Sequence, residues 1–138
     1  MSRLRLPASM ESFGLFRSFV LEELERTGEL DDLVPKVDLV LEEVLVNAIH
    51  YAYPGAHGEL EVECLSESPG KFRVTVKDWG IAFNPLDQAP PDLSSDVSSR
   101  QVGGLGIFFV TQMTERLHYE YRDGGNVLTM WFQKNGGN

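Results

Sequence analysis

Two pairs of strand-like segments, each pair closed by a glycine turn and the first alternating cleanly, constrain this chain more than any other feature of its sequence. In ELEVEC, residues 59–64, Leu60, Val62 and Cys64 fall on one side and Glu59, Glu61 and Glu63 on the other. Beyond Pro69-Gly70, KFRVTVKD repeats the pattern with Phe72, Val74 and Val76. Near the end, LHYEYR and NVLTMWFQ flank Asp123-Gly124-Gly125. A period of two is that of a pleated strand with one buried face. A glycine turn between two such runs closes an antiparallel hairpin. The first hairpin has one wet face, so it needs an apolar cover on one side only.

Helical segments supply that cover. Ser9 is placed to cap a helix carrying Phe13, Phe16, Phe19/Val20 and Leu24, which Gly28 ends. A second helix starts around Pro35, presents Val37, Leu41, Val44/Leu45 and Ala48, and stops at Pro54-Gly55. A third runs from about Gly104 to Glu115, and RLRL (3–6) reads as a short leading strand. Residues 84–101, NPLDQAPPDLSSDVSSRQ, show no periodicity; a loop of that length in a compact chain is usually a functional lid. The expected fold class is α+β: a two-layer sandwich, with helices on one face of a mostly antiparallel sheet, in one domain over 1–138.

Composition excludes several functions. The formal charge of −9 argues against a broad basic face for nucleic acid or anionic membrane. There is neither an apolar run of membrane length nor a signal-peptide start, so the expectation is a soluble, cytoplasmic protein. A lone cysteine, Cys64, excludes an internal disulfide and a cysteine-rich zinc site. His50, His57 and His118 are too widely spread to read as a ligand cluster.

Three short motifs carry chemistry. Glu43 and Asn47 are four residues apart on the second helix, so their side chains share a face, whereas Glu42 points about 100° away. A carboxylate beside a carboxamide suits a hard cation, and the carboxylate also accepts a proton. Alone, the pair reads as an ordinary solvated helix face. Asp78-Trp79-Gly80 ends a core strand, where a carboxylate can accept from an exocyclic amine and a glycine lets a flat ring approach. Trp79 is placed to border such a ring, while Trp131 reads as core. VGGLGIFFV, residues 102–110, has the form of a backbone loop approaching a phosphate chain at a helix start. It lacks the lysine and Ser/Thr of a P-loop, and Phe109 stands where the third glycine of a dinucleotide fingerprint belongs.

In order, these motifs resemble the GHKL ATPase superfamily, which includes gyrase, the heat-shock ninety chaperone and the histidine kinases. The sequence has E-x-x-x-N on a helix, D-x-G after a strand, a long lid into G-G-x-G, and a Thr in the last strand. NAIHYAYPG (47–55), GNVLTMWF (125–132) and LPASMESFGLFRSFV (6–20) resemble its compact bacterial anti-sigma-factor serine kinases. The resemblance implies the Bergerat, or histidine-kinase-like, fold, with a mixed sheet and residues 84–102 as a mobile ATP lid. It implies ATP and Mg²⁺ as cofactors, with Asn47 as the metal ligand and Glu43 as the general base. Asp78 would receive the adenine amine with Thr129 in support, and Gly80 would admit the ring. Gly103, Gly104, Leu105 and Gly106 would wrap the phosphates, whose charge Mg²⁺ meets instead of a lysine.

Two positions depart from that pattern. Ala82 replaces the second glycine of D-x-G-x-G, and Val102 stands where such kinases can carry arginine, leaving Arg100 as the candidate for the γ-phosphate. The implied activity is ATP-dependent phosphorylation of a STAS-type antagonist by a protein, commonly a homodimer, that also sequesters a sigma factor. The alternative is a non-catalytic ATP-dependent switch module. No histidine precedes residue 50, so histidine autophosphorylation in cis is not expected. With six residues after Phe132, the transducer domain of the larger relatives is not expected.

Overall fold

The computed structural model describes residues 2–67, 69–87 and 104–134, with backbone alone at 87, 104 and 105. Strand β1 (Ser2–Pro7) leads into helix α1 (Met10–Glu25). A single 3-10 turn, Asp31–Leu33, opens into α2 (Val34–Tyr51), and Pro35 sits in its first turn. The hairpin β2 (Glu59–Glu67) and β3 (Lys71–Asp78) follows, then α3 (Gly104–Met113) and the hairpin β4 (Arg116–Arg122) and β5 (Gly125–Gln133). Asp123 at φ 53° and Gly124 at φ 76° form the tight turn of that second hairpin. Two successive positive φ angles match the right-handed twist of the strands they join.

The sheet order is β1-β2-β3-β5-β4, and all four pairings are antiparallel, where a mixed sheet had been implied. The register sets Val62 beside Val76, Val74 beside Met130 and Phe72 beside Phe132, so one face is continuously apolar. Phe16, Val20 and Leu24 of α1, Val37, Leu41 and Leu45 of α2, and Val110 of α3 pack into the same core. Each fully buried side chain of this size contributes about 1.5–3 kcal/mol relative to exposure. Cys64 lies in this layer, and burial, followed by the charge of Glu23, pushes its thiol up to about 12. Among the described residues, no helix is long and apolar enough to cross a membrane.

The opposite face is less wet than the alternation suggests. Glu61 is only 7% exposed, because Lys77 lies across it at 3.6 Å and reaches Glu63 at 3.0 Å. Arg3 and Arg5 of β1 extend this lattice to Glu63 and Glu59. Trp131 belongs here and not to the core: its position alternates with Met130 and Phe132, and Arg116 covers its ring at 4.5 Å. Helix α3 ends at Met113, two residues short of expectation. The Glu115 amide is taken by the Trp131 carbonyl at 2.8 Å, which pulls the chain into β4.

Candidate functional site

The site forms where β3 ends between its neighbours. Asp78 is 8% exposed and lies opposite Asn126 of β5. Its Oδ1 accepts the Gly80 N–H at 2.9 Å and the Asn126 Nδ2–H at 2.8 Å. Asn126 uses every polar atom it has. Its second amide proton goes to the Ile81 carbonyl at 2.7 Å, while its oxygen accepts the Phe83 N–H at 3.0 Å and the Tyr119 hydroxyl. A carboxamide satisfied on all sides holds both the aspartate and the 81–83 turn in place. The other Asp78 oxygen, Oδ2, has no hydrogen-bond partner among the described residues.

Asp78 lines a cleft that is partly open to solvent. Its walls are largely apolar: Val44, Ala48, Tyr51, Ile81, Phe83 and Ile107, with Asn47 among them. Asn47 is half-buried, and its carboxamide makes no hydrogen bond among the described residues. The structure therefore brings Asn47 and Asp78 to one cavity, each with a polar group still available.

Other expected site residues stand elsewhere. Thr129 is a correction: its hydroxyl pairs with Thr75 at 3.5 Å on the face away from the helices, because it is three residues from Asn126 and strand side chains alternate. Asn126 occupies the supporting position instead. The signal was present in NVLTMWFQ, whose alternation puts Asn126 with Leu128, Met130 and Phe132 and sets Thr129 apart.

Gly80 does not open space for a ring. A Cβ there would lie 1.9 Å from the Ala52 carbonyl oxygen, which also accepts the Ile81 N–H at 3.1 Å. The end of α2 fills that space. Tyr53 secures the same corner, since its hydroxyl donates to the Glu59 carbonyl at 2.6 Å and accepts the Trp79 N–H at 2.8 Å. Burial holds the Tyr53 phenol above its ordinary pKa. Trp79 does not border the cleft; its ring stacks under the Arg5 guanidinium at 4.1 Å. Ala82 is exposed and outside the cleft lining, so its extra methyl does not obstruct the cavity.

Glu43 is half-buried, one helical turn before Asn47, and is not part of the cleft wall. Gly104, Leu105 and Gly106 form the first turn of α3. Gly103, Val102, Arg100 and residues 88–102 of the expected lid lie outside the described residues. The described beginning of that segment is a short 3-10 turn, Pro85–Asp87, opened by the Asn84 side chain accepting the Leu86 N–H at 2.8 Å.

An antiparallel sheet covered on one face by helices, with a helix asparagine and a strand-end aspartate sharing a cleft, defines a histidine-kinase-like α+β ATPase fold. The chain belongs to the histidine kinase-like ATPase domain family, whose model matches residues 6–132. It is similar to the serine-protein kinase RsbW of Listeria monocytogenes, 27% identical over 130 residues, 91% of this chain and 82% of that one. It is also similar to the serine/threonine-protein kinase BtrW of Bordetella bronchiseptica, 27% identical over 92 residues, 67% of this chain and 65% of that one.

Among solved structures, the RsbU and RsbW domains of a Mycobacterium tuberculosis protein share the fold with a TM-score of 0.60 at 14% identity. That match covers 96% of this chain and 32% of the longer one. The catalytic domain of the histidine kinase ThkA matches with a TM-score of 0.51 at 18% identity, over 97% and 98% of the two chains.

The available polar groups fit the ligand that this family implies. A carboxylate oxygen with no partner among the described residues suits an exocyclic amine, the apolar walls suit a flat base, and a carboxamide oxygen that no described residue engages suits a hard cation.

Proposed function

We propose that the chain is an ATP-dependent protein serine kinase of the anti-sigma-factor type, which phosphorylates a STAS-domain antagonist and, as a homodimer, holds a sigma factor inactive. The observation that carries the reading is the cleft shared by Asp78 and Asn47, each with a polar group that no described residue engages. The named relatives are serine kinases, which supports the same activity here.

In this reading, Asp78 Oδ2 accepts the adenine N6 amine, and Asn126 holds the carboxylate in position. Asn47 would hold magnesium, which when bound would supply charge neutralisation on the phosphates. Glu43 accepts the proton of the serine hydroxyl as phosphoryl transfer proceeds, and Arg100 meets the γ-phosphate. Phosphoryl transfer depends chiefly on such positioning and charge compensation.

The test combines binding with transfer. Titration calorimetry should detect Mg-ADP binding, and Asp78→Asn should weaken it about tenfold or more, the effect of degrading a charge-assisted hydrogen bond. Glu43→Gln should abolish phosphorylation of a cognate STAS-domain antagonist while leaving Mg-ADP affinity intact. Nucleotide binding with no transfer by the unaltered protein would replace the kinase with a switch module. Absence of binding at millimolar Mg-ADP would remove both.

A further inference from the structure

Both glycine motifs touch the same helix. At Gly80 the missing side chain makes room for the Ala52 carbonyl at the end of α2. At Gly106, in the first turn of α3, a Cβ would lie 2.0 Å from Glu43 Oε2, 2.8 Å from Cδ and 3.5 Å from Cγ. Contact between non-bonded heavy atoms begins near 3.4 Å, so the Glu43 carboxylate occupies the volume that any side chain at 106 would need. Asn47 lies on α2 between these two contacts. Ile107, next to Gly106, lines the cleft with Asn47 and Asp78.

We propose that Gly106 is a positioning residue whose absent side chain seats the Glu43 carboxylate and so sets it relative to Asn47 and the first turn of α3. The resemblance assigned this glycine to the phosphates. The geometry assigns its lack of a Cβ to a protein carboxylate. That Glu43 then serves as the base rests on the proposed function, but the contact does not.

The two glycines differ in what a methyl group would displace. At Gly80 the obstacle is backbone, which yields only if the helix end moves. At Gly106 it is the end of a flexible side chain, which swings away at little cost to the fold. Alanine at 106 keeps the backbone N–H available to a phosphate and is a better helix former than glycine. The substitution therefore acts on the location of Glu43 more than on stability or nucleotide binding. Misplacing a reacting group by about 1 Å costs on the order of a hundredfold in turnover.

The experiment compares Gly106→Ala with the unaltered protein, without nucleotide and then with Mg-ADP. In protein labelled at glutamate carboxyl carbons, with Glu43 assigned from Glu43→Gln, the Glu43 Cδ resonance should move in Gly106→Ala. Mg-ADP affinity should stay within about threefold, because the backbone N–H is retained. An unmoved resonance would overturn the proposal. So would an affinity loss beyond about tenfold, which would return the glycine to the phosphates. If Gly106→Ala lowers the thermal midpoint, adding Glu43→Ala should restore it, and failure to do so also refutes the contact. Should the unaltered protein bind no Mg-ADP, the nucleotide reading falls while the resonance alone still decides the seat.

Discussion

Replacing Gly80 with alanine separates two accounts of the D-W-G turn. If the glycine served only to let a ring approach, the substitution would weaken nucleotide binding and leave the empty protein as stable as before. The structure predicts the reverse emphasis. The new Cβ falls 1.9 Å from the Ala52 oxygen and 2.6 Å from its carbonyl carbon, so the backbone at the end of α2 has to retreat by about 1.5 Å to reach ordinary contact. That retreat strains the Ile81 N–H bond to the same oxygen, now 3.1 Å.

Overpacking of this kind costs about 1–3 kcal/mol, and a disrupted hydrogen bond adds roughly 0.5–1.5 kcal/mol. For a chain of this size, a total of about 2–4 kcal/mol lowers the thermal midpoint by roughly 6–15 °C. Gly14 is the internal control. It lies in α1, a Cβ there meets nothing within 4 Å, and Gly14→Ala should raise stability by about 0.8–1 kcal/mol. Thermal unfolding followed by circular dichroism at equal protein concentration reads both. A Gly80→Ala midpoint within about 2 °C of the unaltered chain would refute the packing argument.

Two further outcomes follow from the same geometry. Asn126→Asp replaces the donor 2.8 Å from Asp78 Oδ1 with a second carboxylate and removes the bond to the Ile81 carbonyl. It should cost about 3 kcal/mol at pH 7 and recover part of that as the pH falls and the pair shares a proton, read as urea midpoints against pH; equal stability at pH 7 would contradict the hub role of Asn126. For Cys64, burial raises the folded-state pKa from an ordinary value near 9 to about 12. The unfolded chain loses the thiol proton first, so the stability contribution is full below about pH 9 and declines as pH rises toward 12. Cys64→Ala should flatten the loss of stability between pH 9 and 11, and an unchanged slope would remove that contribution.

Much of the architecture is local and so is legible along the chain. Strand alternation and helical spacing follow from backbone geometry, which repeats every two or 3.6 residues whatever the rest of the chain does. That is why both hairpins, the α2 stripe ending at Ala48 and the turn at Asp123-Gly124 match their sequence patterns. Asn47 and Asp78, which the ordered motifs single out, line one cleft. Thr129 carries a hydroxyl, but its parity in β5 turns it towards Thr75 and away from Asp78.

What the sequence by itself determined is the set of elements, their buried faces and the family to which they belong. Only the tertiary structure decided which atoms fill the space left by each glycine: the Ala52 carbonyl at Gly80 and the Glu43 carboxylate at Gly106. It also decided that Asn126, 48 residues from Asp78, closes the hydrogen bonds around that carboxylate. The physical reason is range. Periodicity is a property of neighbouring residues, whereas the occupant of a missing side chain's volume depends on how distant segments pack to within an ångström.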